Sequence, residues 1–280
     1  MNLLRRSFLK KTLAASTTGM LASRLSAAPS GAAQEFYELR CYHLKADSRI
    51  KADANPALLD DYLEHAFLPA LRKLGLKNTG IFTEIEVDKN TGSRAPKRDS
   101  PVWVLMTYRS LDSYVEVTAA LNADPAVLKA GADYLKVPKA APAFERIDSW
   151  LMRAFAGMPQ LHVPAFSKKG IPTRVFEMRD YESHSEERAL AKMDMFNAGE
   201  IQVMKEIGIN PVMFAQALSG PNLPHLRYIT SGPDIETHLA GWKKFGPHPI
   251  WQKLKKDPRY ADSTSRNTAR FLTPKSYSEL

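Results

Sequence analysis

The segment YELRCY at residues 37–42 returns as FEMRDY at residues 176–181, so one chain writes Glu-x-Arg-x-Tyr twice. Strand alternation sends Glu38, Arg40 and Tyr42 to one face, with Leu39 and Cys41 on the other. In the second copy Glu177, Arg179 and Tyr181 share a face opposite Phe176 and Met178. A helical pattern follows each copy. The first runs through Leu59, Leu63, Phe67 and Leu71 to Gly75, and the second through Met193, Phe196, Glu200 and Met204 to Gly208. LRKLG at 71–75 aligns with MKEIG at 204–208. Pro69 predicts a kink in the first helix.

Strands are expected next at 79–86 and 102–108, echoed at 212–218 and 226–230. A second helical region follows in each half, where Asp124-Pro125 is echoed by His248-Pro249. Final strands at 143–155 and 264–272 close the halves. The order β-α-β-β-α-β, twice, is the ferredoxin-like order. Each such sheet leaves one face bare, and a bare apolar face is costly in water. The expected fold is therefore α+β, two ferredoxin-like repeats packed sheet to sheet as a pseudo-dimeric α/β barrel. A string of two domains with separate cores is the alternative. The boundaries are 34–155 for the first repeat, 156–173 for a Pro- and Gly-containing linker, and 174–280 for the second.

The formal charge is +9, but Arg5, Arg6, Lys10, Lys11 and Arg24 supply five of those charges, leaving +4 for the rest. The basic run SRAPKR at 93–98 reads as a solvated loop, and no nucleic-acid partner is expected. LRRSFLK at 4–10 resembles the twin-arginine export motif, with Leu4 where the motif has Ser or Thr. A short, weakly apolar stretch and small residues follow, so residues 1–33 read as a signal for export to the periplasm or beyond. No stretch suits a stable membrane span. Cys41 is the single cysteine, which excludes an internal disulfide.

EMRDY at 177–181, MFNAGE at 195–200, LPHLRY at 223–228, WKKF at 242–245, HPIW at 248–251 and PKSY at 274–277 together resemble the NIPSNAP family. The resemblance spans about residues 35–278 and is clearest in the second half; the first half lacks a counterpart of Trp242 and has Phe67 where the second has Glu200. It implies the dimeric α/β-barrel fold. It implies little about activity, because barrels of this kind include cofactor-independent monooxygenases and haem proteins.

A buried Glu and Arg must pair or line a wet cavity, since unpaired charge is expensive to bury. The strand triads are thus either structural ion pairs or the polar floor of a sheet–helix pocket. In the second reading Arg179 or Arg40 anchors an anionic ligand, and Tyr181 and Tyr228 hydrogen-bond it. Glu200 is the candidate acid or base, or else the salt-bridge partner of Arg179. Trp242, with Phe245 and Trp251, reads as core or as the pocket's aromatic wall. The histidines are scattered and form no metal-ligand spacing, so neither metal nor cofactor is expected, and only chance would make His225 or His238 a haem ligand. The functional expectation is a small-molecule binder, enzymatic or not, with oxygenase-like chemistry in view. A non-catalytic interaction module is the alternative, and self-association beyond the internal pseudo-dimer stays open.

Overall fold

A computed structural model describes residues 32–44 and 55–280. All but the last two residues of the expected export segment lie outside these. The strands are β1 (Phe36–His43), β2 (Gly80–Val87), β3 (Arg94–Pro96), β4 (Val102–Tyr108), β5 (Arg146–Ala154), β6 (Val175–Glu182), β7 (Asn210–Ser219), β8 (His225–Gly232) and β9 (Arg266–Pro274). Their order is β3-β2-β4-β1-β5-β7-β8-β6-β9, and β9 also pairs with β2, so eight strands close into a barrel with β3 attached to β2. All the pairings are antiparallel. Each half contributes a ferredoxin-like quartet, β2-β4-β1-β5 and β7-β8-β6-β9. The quartets join by hydrogen bonds along both edges, which leaves neither quartet with a free edge or a bare inner face among the described residues, while β3 keeps an open outer edge. The run at 93–98 is a correction: it holds the exposed strand β3 rather than only a loop.

The first half adds α1 (Pro56–Tyr62), α2 (Leu68–Lys73), α3 (Leu111–Ala123), α4 (Pro125–Ala130) and α5 (Ala132–Leu135). The linker carries α6 (Ala165–Lys168), and the second half has α7 (Glu186–Met195), α8 (Ile201–Glu206), α9 (Ile235–Phe245) and α10 (Pro249–Leu254). Local chemistry sets these limits. Ser110 and Asp234 cap α3 and α9 with their side chains, and Pro125 and Pro249 open α4 and α10. Gly75 and Gly208 end the long helical passages at φ +83° and +82°, a backbone region that favours glycine. The linker packs down rather than dangling: Leu161 and Val163 lie on the apolar barrel interior built around Leu39, Phe82, Met152 and Met178.

A wide π turn separates α1 from α2 at Leu63–Phe67, and another separates α7 from α8 at Phe196–Glu200. The second copy contains no proline, so the interruption belongs to the repeat and not to Pro69. Gly199 lies in that turn, and a Cβ there would meet Ile250 Cγ2 at 2.6 Å and Leu254 Cδ1 at 3.1 Å. Gly199→Ala is therefore expected to push α10 outward and cost about 1–3 kcal/mol, read as a lowered thermal midpoint.

Candidate functional site

The face of β1 and β6 that carries Glu-x-Arg-x-Tyr looks outward, toward the helices. In the second half Glu177 is fully buried, and its carboxylate gathers donors. Arg179 Nε donates to Oε1 at 2.9 Å, His238 Nε2 meets Oε2 at 2.8 Å, and Trp242 Nε1 donates to Oε2 at 2.6 Å. Burial works to raise this carboxyl, but His238 and Arg179 together hold it below the ordinary glutamate value. The guanidinium of Arg179 lies 4.0 Å from the centre of the Trp242 ring. Glu177 and His238 therefore fix an arginine–indole platform.

Beyond the platform the hydroxyls of Tyr181 and Tyr228 meet at 3.0 Å. Lys192 Nζ donates to Glu200 Oε1 at 2.5 Å, and both side chains are almost wholly buried. The ammonium also faces the rings of Phe196, Tyr181 and Trp251 at 4.9, 5.5 and 5.7 Å. Burial pushes the Glu200 carboxyl up, and Lys192 only partly opposes it. Burial likewise holds the Tyr228 phenol well above its usual range. Arg179, Tyr181, Lys192, Glu200, Tyr228, Trp242, Phe245 and Trp251 line one cleft of about 410 Å³ between sheet and helices.

Of the residues the sequence singled out, Arg179, Tyr181, Glu200, Tyr228 and Trp242 come together here. Arg40 does not: it bonds Glu38 and lies 5.7 Å over Phe67 in the other half. Glu200 pairs with Lys192 and not with Arg179, which pairs with Glu177. Lys192 carries no sequence signal, and His238 is weighed there only as a chance haem ligand, although its place one helical turn before Trp242 is a usable signal. Neither His225 nor His238 lines the cleft. Among the described residues no group of three or more His, Cys, Asp or Glu could hold a metal ion, and no helix is long and apolar enough to cross a membrane.

The first half shows what the second has changed. Glu38 is again a buried hub, accepting from Arg40, Tyr108 and Ser149. Taking Gly75 and Gly208 as equivalent, the pair Lys192–Glu200 corresponds to Leu59–Phe67. By strand register Tyr228, opposite Arg179, corresponds to Val104, opposite Arg40. At these three positions the first half carries leucine, phenylalanine and valine where the second carries lysine, glutamate and tyrosine.

Eight antiparallel strands with helices packed outside define a dimeric α/β barrel written within one chain. Residues 176–279 match the NIPSNAP family model, so the second half carries a NIPSNAP domain. No curated protein matches the chain. Among solved structures it is similar to a candidate monooxygenase from Fusobacterium nucleatum, at 9% identity and TM-score 0.50 over 86% of this chain and 93% of that one. That similarity shows the fold alone. A NIPSNAP-like domain protein from Burkholderia xenovorans matches at 18% identity and TM-score 0.34, covering 38% of this chain and 90% of its own. A NIPSNAP family protein from Agrobacterium tumefaciens matches at 17% and 0.35, over 38% and 98%.

Proposed function

We propose that the chain binds a small planar molecule bearing an ionisable oxygen, a hydroxyaromatic or aromatic acid, in the cleft of its second half. One observation carries this: a cleft of about 410 Å³ has an arginine–indole platform on one side and a buried Lys–Glu pair beside two linked phenols on the other. The aromatic walls of Trp242, Phe245 and Trp251 suit a flat ring. Arg179 and Lys192 suit the oxygen in its anionic form.

Oxygenase-like chemistry is the narrower reading. Transfer of a ligand hydroxyl proton to the Glu200 carboxylate would leave a ligand oxyanion next to Lys192. An electron-rich ring of that kind is what reacts with dioxygen. Glu177 and His238 act as positioning residues for Arg179 and Trp242. With the export reading of residues 1–33, the ligand would be met after translocation.

Calorimetric titration with 1-hydroxy-2-naphthoate tests the binding. Saturable uptake is expected, weakened about ten-fold or more by Arg179→Ala or Trp242→Ala, the loss of one cation or one aromatic contact. No saturable heat, or binding indifferent to both substitutions, would instead favour the non-catalytic interaction module. An oxygen electrode run with the same compound separates binder from oxygenase.

A further inference from the structure

The first half has a cleft of its own, of about 480 Å³, between α3, the turn at 74–78 after α2, the end of β4 and the linker at Leu161. It shares no lining residue with the cleft of the second half. Comparison of the two halves shows why it is open. Counted from the caps Ser110 and Asp234, Val117 of α3 takes the place of Gly241 in α9. Counted from Gly75 and Gly208, Leu76 takes the place of Ile209. A Cβ on Gly241 would stand 2.9 Å from Ile209 Cγ1, so α9 lies directly on that side chain. A valine cannot come so close, and α3 has to stand further off. Strand register likewise makes Thr107 equivalent to Ser231. Ser231 Oγ donates to the Asn210 carbonyl oxygen at 3.0 Å, whereas the buried Thr107 hydroxyl has no partner among the described residues.

Two acids, Glu35 and Glu116, and two bases, Lys77 and Arg109, line this cleft. None of the four forms an ion pair among the described residues. Three of them are exposed, and Glu35 is half-buried. Its Oε2 accepts from the Leu161 N–H at 2.7 Å and from the Tyr37 hydroxyl at 3.3 Å, while Oε1 accepts from none of the described residues. Burial raises this carboxyl against the pull of those two donors and of Arg109, which acts on it through space without bonding it. A plain cation entering here would be repelled by Lys77 and Arg109, and a plain anion by Glu35 and Glu116. A ligand that carries both signs meets each with its opposite. Leu74, Val117 and Leu161 offer the rest of it an apolar surface.

We propose that the first-half cleft binds a small zwitterion with an apolar side chain, an α-amino acid of the size of leucine, its ammonium on Glu35 Oε1 and its carboxylate toward Arg109. Calorimetric titration of the full chain at pH 7 compares L-leucine with 3-methylbutylamine, which lacks the carboxylate, and with 4-methylpentanoate, which lacks the ammonium. Saturable leucine binding is expected, with each analogue weaker by about ten-fold or more, the loss of one charged contact. Arg109→Gln, at an exposed position, should erase the advantage of leucine over the amine. Glu35→Gln should erase its advantage over the acid. Arg109→Gln decides the matter even if Glu35→Gln, which also touches the linker, fails to fold. Absence of saturable heat, or equal affinity for the three compounds, would overturn the proposal. So would a preference for leucine over the amine that survives Arg109→Gln, or displacement of leucine by 1-hydroxy-2-naphthoate.

Discussion

Replacing Lys192 by leucine alone should cost about 3–5 kcal/mol of unfolding free energy at neutral pH, because it strands the buried Glu200 carboxylate. The double variant Lys192→Leu/Glu200→Phe should recover most of that, to within about 1–2 kcal/mol of the parent, since it installs the Leu59–Phe67 pair with which the first half fills the same place. The single variant also has a sign in pH. The Glu200 carboxyl is already raised by burial, with Lys192 opposing, and losing Lys192 raises it further. A raised folded-state value means the folded protein holds a proton that the unfolded chain releases, so stability falls as pH climbs through that window. Urea unfolding of the single variant near pH 5 and pH 8 should therefore show the deficit growing with pH, while the double variant shows no such growth. Equal deficits in single and double variants would mean that the pair is worth its full Coulomb attraction and is not retained at a cost for function.

Glu177→Gln is the second large effect expected, about 3 kcal/mol at neutral pH, because Arg179 loses its buried counter-charge and the amide cannot accept from His238, Trp242 and Arg179 together. Here the sign is opposite. The Glu177 carboxyl is held below the ordinary value, so its stabilisation is present above the unfolded value, about 4.5, and is lost as pH falls through the lowered folded value. The gap between parent and variant, measured by urea unfolding, should be full at pH 7 and narrow below pH 4. Ligand affinity should fall in the same variant, since the Arg179–Trp242 platform rests on this carboxylate. A gap that does not depend on pH would place the effect in packing and not in charge.

Much of this fold was legible because its signals are local and written twice. The glycines at φ +83° and +82°, the prolines opening α4 and α10, and the strand alternation each dictate a short piece of structure. The strand triads were legible as faces, and the first-half copy shows Glu-x-Arg to be a structural hub in both strands. What lay hidden is non-local. Glu177 and His238 are 61 residues apart, and no periodicity joins them. Lys192 and Glu200 are 8 residues apart, which in a regular helix leaves them about 80° apart around the axis. The π turn inserts one residue and brings them back to about 20°, onto one face. Spacing had set Glu200 beside Met193 because it assumed an uninterrupted helix. The inward pair of Asp180 and Arg227 was missed because Phe176 and Met178 defined that face as apolar, and Asp180, the next inward residue, was passed over.

The central claim is that the cleft of the second half, where Lys192, Glu200 and Tyr228 stand at the places of Leu59, Phe67 and Val104 in the first, binds a ligand. Diffraction from crystals soaked with 1-hydroxy-2-naphthoate tests it most directly. The account predicts one molecule per chain, its ring against Trp242 and its oxygens toward Lys192 and Arg179, with nothing bound between β1 and α1–α2. A molecule seated in the first half, or an empty second-half cleft at saturating ligand, would contradict it.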